Sequence, residues 1–173
     1  MNKVTHKGIK TKGMPKVMVA RGGFFSIGKN FRINNTINSN PIGCVQPCMF
    51  FVDSKAKLVL GDNVSLSQTA IVCHENIVIG NNVKMGGGVC VYDTDFHSLD
   101  KNKRTTIADD FANKKMAPVY IKDNVFIGAN TTILKGVTVG ENSIIGACSL
   151  VSKNIPSNEI WAGNPARKIK SII

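Results

Sequence analysis

From residue 60 onward, apolar side chains recur at every sixth position. The chain divides into "LGDNVS", "LSQTAI", "VCHENI" and, after one extra residue, "IGNNVK", "MGGGVC", "VYDTDF"; it resumes as "IKDNVF", "IGANTT", "ILKGVT", "VGENSI", "IGACSL", "VSKNIP". The first place is apolar in all twelve units: Leu60, Leu66, Val72, Ile79, Met85, Val91, Ile121, Ile127, Ile133, Val139, Ile145 and Val151. With 43% of the chain hydrophobic, twelve such successes arise by chance about 4 times in 100,000.

Six residues are too few for a helical repeat unit. β-branched residues punctuated by Gly and Asn read instead as strand, corner, strand, which makes the chain all-β and predicts a parallel β-solenoid with three units per turn. Apolar first positions and the fifth positions Val64, Val83, Val89, Val125, Thr131 and Ser143 are expected to point inward. Glycine in the second place (Gly61, Gly80, Gly86, Gly128, Gly140, Gly146) suits corners where backbones approach closely. Weaker matches, "IGKNFR" and "INNTIN", carry the repeat back to Ile27 through at least one irregular coil.

This pattern divides a single domain into a basic N-terminal segment (1–26), an irregular-looking start that includes His6, then the solenoid (27–156) and a short basic tail (157–173). Between Val91 and Ile121 the period fails, and residues 93–118 form a polar, charged excursion. Such a loop thrown out of a compact repeat is a place to look for function. It carries "VYDTDFHSLD", with Asp93, Asp95 and His97 within five positions. Pro156 and Pro165 interrupt ladder pairing near the end, so "GNPARKIK" reads as a turn into the tail.

Composition adds exclusions. No apolar run approaches the roughly 18 residues that span a bilayer, and Val17 to Ala20 is too short for a signal-peptide core, so a cytoplasmic location is expected. Five scattered cysteines, Cys44, Cys48, Cys73, Cys90 and Cys148, suit packed thiols rather than a disulfide framework. The net charge is +11, and the first 52 residues hold eight Lys or Arg and no acidic residue. That asymmetry favours anionic partners: a phosphorylated small molecule, or an anionic membrane surface for peripheral association. Nucleic acid is not expected, since no aromatic-interleaved basic segment or recognition helix is evident.

The repeat, the ejected histidine loop and the closing "IIGACSLVSKNIPSNEIWAGNPARKIK" together resemble the hexapeptide-repeat acyltransferases, over residues 60–170 closely and 27–59 loosely. Within that superfamily "DTDFHSLD" and "NPIGC" are most similar to sugar and capsular-polysaccharide O-acetyltransferases and to the maltose and galactoside acetyltransferases. The resemblance implies a left-handed β-helix, a homotrimer with sites between subunits, and acetyl-coenzyme A as donor to a hydroxyl of a sugar or glycan precursor.

It also implies residue roles. His97 matches the general base, a task suited to an imidazole of pKa near 6.5, with Asp93 or Asp95 as its orienting carboxylate. Matching the family's motif, coenzyme A would lie along Phe126, Gly128, Ala129 and Ala147, its phosphates near Ser152, Lys153, Arg167 and Lys170. His74 and Leu66 occupy acceptor-site positions that in the maltose and galactoside enzymes are aspartate and asparagine, a departure that argues against simple maltose or galactoside specificity. An amine acceptor on a nucleotide sugar and a non-catalytic solenoid remain alternative readings. No metal is expected: a zinc carbonic anhydrase needs three histidine ligands, and the solenoid contains only His74 and His97.

Overall fold

The computed structural model describes residues 4–40, 42 and 46–172, so Pro41, Gly43 and Cys44 of the "NPIGC" stretch lie outside the described residues. Its strands are β1 (Val4–Lys12), β2 (Lys16–Val19), β3 (Phe24–Asn34), β4 (Met49–Val52), β5 (Lys57–Leu60), β6 (Ser65–Ser67), β7 (Ala70–Cys73), β8 (Asn76–Ile79), β9 (Lys84–Gly87) and β10 (Cys90–Tyr92). An α-helix, α1 (Ile107–Asn113), follows. Then come β11 (Val119–Ile121), β12 (Phe126–Ile127), β13 (Thr132–Ile133), β14 (Thr138–Val139), β15 (Ile144–Ile145), β16 (Leu150–Val151), β17 (Glu159–Ala162) and β18 (Arg167–Ser171).

From β5 to β16 each strand pairs in parallel with the strand three places further along, which generates three ladders. The first runs β5-β8-β11-β14, the second β6-β9-β12-β15 and the third β4-β7-β10-β13-β16. Strand β3 belongs to two of them: Phe24–Ile27 pair with β5 and Arg32–Asn34 with β6, so a single strand rounds a corner.

Alternation of side chains places one row of each ladder inside. Leu60, Leu66, Ile79, Met85, Val91, Ile121, Ile127, Ile133, Val139, Ile145 and Val151 are all buried, as are Val64, Val83, Val89, Val125, Thr131 and Ser143. Val72 is the exception. Ile71 and Cys73 face inward instead, with Ile71 against Phe50 and Val91 in the ladder. By ladder register the step from Leu66 to Ile71 is one residue short, where Gln68 takes a positive φ of 48°, and the added residues lie between Ile71 and Ile77 at the β7–β8 bend, not after Ile77 as the spacing suggests.

One corner is stitched by asparagine. Asn30, Asn63, Asn82, Asn124, Asn142 and Asn158 stack, the first five each donating an amide to the next side-chain carbonyl at 2.8–3.0 Å. All six adopt φ between 55° and 61°, a region that asparagine tolerates better than most residues. Beside them Gly28, Gly61 and Gly80 leave room for the next coil: a Cβ on Gly80 would sit 2.9 Å from the Asp123 backbone nitrogen.

Two expectations about the ends are corrected. The basic start is ordered strand: β1, including His6, pairs in parallel with β3, and β2 pairs with β4. The terminal residues also stay within the sheet, since β17 extends the second ladder on β15 and β18 folds back antiparallel on β17. Pro156 and Pro165 lie outside both strands, so neither removes a ladder hydrogen bond.

Candidate active site

The excursion leaves the solenoid after β10 and returns at β11, at the corner between the third and first ladders. Its neck is closed by an antiparallel bridge between Thr94 and Met116 and by bonds from the Asp95 N–H to the Lys115 carbonyl and from the Ala117 N–H to the Asp93 carbonyl, each 3.0 Å. Beyond the neck, Thr106 caps α1 by accepting the Asp109 N–H, which sets where the helix begins and so where Asp110 projects.

Asp110 holds His97. Its Oδ2 lies 2.6 Å from His97 Nδ1, while Oδ1 accepts the Ser98 N–H at 2.7 Å. These bonds, the histidine's first, hold the Asp110 carboxyl below the usual carboxylate range. An ionised carboxylate can only accept, so Nδ1 carries the hydrogen and Nε2 of the neutral ring keeps its lone pair. The His97 side chain is 71% exposed. The arrangement presents an oriented base to the surroundings.

Neither Asp93 nor Asp95, the expected partners, touches His97. Asp93 is fully buried, and its two oxygens accept the backbone N–H groups of His74, Glu75 and Asn76 at 2.7–2.9 Å. It fastens the β7–β8 bend. Asp95 forms an ion pair with Lys135 at 2.7 Å, tying the loop to the coil below.

His74 is not a wall of an open pocket, because only 9% of its side chain is exposed. Its Nδ1 lies 2.7 Å from Asp53 Oδ2 and 2.9 Å from Lys114 Nζ, and its ring packs against Phe51, Phe96 and Phe111. Phe96 and Phe111 are the chain neighbours of His97 and Asp110, so the His74 ring lies between the supports of both. Lys114 is 9% exposed, and burial pulls its pKa down while Asp53 and Asp93 oppose that shift. Leu66 is an inward core residue that only borders the outer face, where its neighbours Ser65 and Ser67 project; all three line the concavity beneath β1.

The residues matched to coenzyme A lie on the later coils. Phe126 is exposed on β12, in register with Ile144, and the same register sets Ala129 beside Ala147, with the Cys148 N–H donating to the Ala129 carbonyl at 2.8 Å. A Cβ on Gly128 would sit 2.4 Å from the Ala147 nitrogen, so glycine lets these two coils stack. Gly128, Ala129 and Ala147 thus put little side-chain bulk on this part of the outer face. Ser152, Lys153, Arg167 and Lys170 are exposed at the end of the solenoid.

The concavity beneath β1, about 660 Å³, lies on the outer face of the second ladder. Lys10, Lys12, Arg32, Ser65, Lys84 and Phe126 line it, and no carboxylate does. This face is opposite the corner from which the histidine loop departs, so one copy of the chain does not bring His97 to it.

Sequence reasoning missed Asp110, thirteen residues after His97 in an unperiodic stretch. The Thr106-x-x-Asp109 signature was the available clue that a helix starts there.

Residues 118–153 match the family model described as bacterial transferase hexapeptide (six repeats). The galactoside O-acetyltransferase of Lactococcus lactis subsp. lactis is 42% identical over 95 residues, 55% of this chain and 43% of that protein. The chain spans between 43% and 60% of the length of the first curated relatives it matches. Among solved structures, a maltose O-acetyltransferase from Clostridium difficile 630 superposes with a TM-score of 0.61 at 27% identity, covering 98% of this chain and 70% of that one. AntD, an N-acyltransferase from Bacillus cereus in complex with dTDP-4-amino-4,6-dideoxyglucose and coenzyme A, superposes with a TM-score of 0.76 at 23% identity, covering 98% and 84%.

Proposed function

We propose that the chain is a hexapeptide-repeat acyltransferase, an acetyl-coenzyme A-dependent O-acetyltransferase acting on a hydroxyl of a sugar or glycan precursor. The observation that carries the reading is the His97–Asp110 pair, which engages Nδ1 and turns the exposed ring's Nε2 outward.

A sugar hydroxyl is a weak nucleophile until its proton is removed. His97 Nε2 takes that proton as the oxygen attacks the thioester carbonyl; the carbon–sulfur bond then breaks and the imidazolium returns the proton to the departing thiolate. Asp110 stabilises the imidazolium between these steps. The strip of small residues at Gly128, Ala129 and Ala147 suits the pantetheine arm, with Phe126 at its side, and Ser152, Lys153, Arg167 and Lys170 receive the phosphates.

Assembly completes the site. The loop exposes the apolar side chains Phe96, Leu99, Ile107, Phe111 and Met116, which suits it to meet a neighbouring subunit. In a homotrimer of left-handed β-helices, each a single domain, this loop reaches the second-ladder face of a neighbour and brings His97 to its cleft. We place the enzyme in the cytoplasm, where acetyl-coenzyme A is supplied.

An amine of a nucleotide sugar is the second acceptor reading, favoured by the superposition on an N-acyltransferase. Acetyl-coenzyme A consumption over a panel of sugars, amino sugars and nucleotide sugars separates the two. Wild-type turnover by His97→Ala on the best acceptor would overturn the mechanism.

A further inference from the structure

Strand register puts Lys10, Arg32, Ser65, Lys84 and Phe126 side by side in a single outward row across β1, β3, β6, β9 and β12. Neighbouring strands are about 4.8 Å apart, so Lys10 and Arg32 stand directly opposite each other and Lys84 lies two spacings beyond. Lys12 heads the next outward row, followed by Asn34 and Ser67. Like charges set directly across strands repel and destabilise a sheet. Among the described residues no ion pair relieves Lys10, Lys12, Arg32 or Lys84.

We propose that this cleft binds a diphosphate-bearing small molecule, with Arg32 between Lys10, one strand away, and Lys84, two strands away. Three facts converge on that ligand class. The cations converge on a concavity of about 660 Å³, a volume typical of small-molecule sites. A guanidinium between two ammonium groups matches adjacent phosphates, which offer many acceptor oxygens and several negative charges. Ser65 and Ser67 add hydroxyls that donate to the same oxygens.

A diphosphate occurs both in nucleotide-linked sugars and in coenzyme A. That it belongs to the acceptor rests on the acetyl-transfer reading; that the cleft takes it does not, and the test involves no turnover.

The test is isothermal titration and thermal melting of the full chain with inorganic pyrophosphate, uridine diphosphate, 3′,5′-adenosine diphosphate and coenzyme A. Pyrophosphate and uridine diphosphate are expected to compete with one another and raise the melting temperature. Arg32→Gln and Lys84→Gln should each weaken pyrophosphate at least tenfold and flatten its salt dependence, while Lys122→Gln, a lysine on another face, leaves it unchanged. Because glutamine removes repulsion, neither cleft variant should melt below wild type without ligand. Pyrophosphate affinity that survives the Arg32→Gln/Lys84→Gln double variant, or no binding at all, overturns the site. Displacement of pyrophosphate by coenzyme A or 3′,5′-adenosine diphosphate, with coenzyme A weakened by the same variants, overturns the assignment to the acceptor.

Discussion

Lys114 Nζ lies 2.9 Å from His74 Nδ1, across forty residues of sequence, and 3.5 Å above the centre of the Phe111 ring. This is the bolt of the ejected loop: a cation from just beyond α1 seated on a histidine at the β7–β8 bend. The same Nδ1 faces the Asp53 carboxylate. It can donate to Asp53 or accept from Lys114, but it holds one hydrogen at a time.

Lys114→Met keeps the apolar stem and removes the bolt. We expect loss of about 1–2 kcal/mol of loop docking from the cation–π contact and the hydrogen bond. Limited proteolysis within residues 99–116 should quicken severalfold, and turnover should fall while affinity for coenzyme A holds. Unchanged proteolysis would show that the neck and the Asp95–Lys135 pair suffice alone.

Asp110→Asn tests the dyad more sharply. The amide is nearly the carboxylate's shape but loses its charge, and its nitrogen can donate to Nδ1 and favour the wrong tautomer. Turnover should fall about 10²–10⁴-fold with little change in KM. Asp93→Asn should act differently: an acceptor of three N–H groups is weakened, so stability falls and the shape of the pH–rate profile does not change.

Asp110 also sets an acid limit. Its pKa is lowered in the folded chain, first by the His97 hydrogen bond and then by the Ser98 N–H. A depressed carboxyl contributes stability that is full above the unfolded value near 4 and is lost as pH falls through the folded one. The Ser98 amide should therefore keep its hydrogen-exchange protection down to about pH 4 and lose it below. In Asp110→Asn that acid-induced step should disappear.

At the asparagine corner, Asn124→Ala removes links to Asn82 and Asn142 and places an alanine at φ 61°. The cost should be about 2 kcal/mol. Asn124→Gly loses the same bonds without the left-handed penalty, and its melting temperature should lie between alanine and wild type.

The solenoid was legible because its physics is local and repeated: eleven of the twelve apolar first positions face inward. Val72 failed because the chain makes one short step, Leu66 to Ile71, and then a long one around the β7–β8 bend, and only the ladder shows that Ile71 pairs with Phe50. The start and tail were misjudged for another reason. Their side chains are mostly exposed and polar, so β1 and β18 are specified by backbone pairing on an edge rather than by any apolar row.

The loop was legible as a departure and as the bearer of His97, but not in its internal contacts. Asp93 and Asp95 are near His97 in sequence, yet the chain leaves β10 at Tyr92, buries Asp93 under the β7–β8 bend and pairs Asp95 with Lys135. Asp110 reaches His97 only because the chain reverses through α1, a tertiary fact with no period to announce it.

The ladders close across this loop as though it were absent. Ile77 lies against Val119, forty-two residues on, in the same parallel register that sets Tyr120 against Thr138 eighteen residues on. The coil therefore does not record what is spliced into it. The excursion behaves as a cassette, free to be exchanged or lengthened, while the small-residue strip and the cationic face keep their shape and meet whatever chemistry the new segment brings.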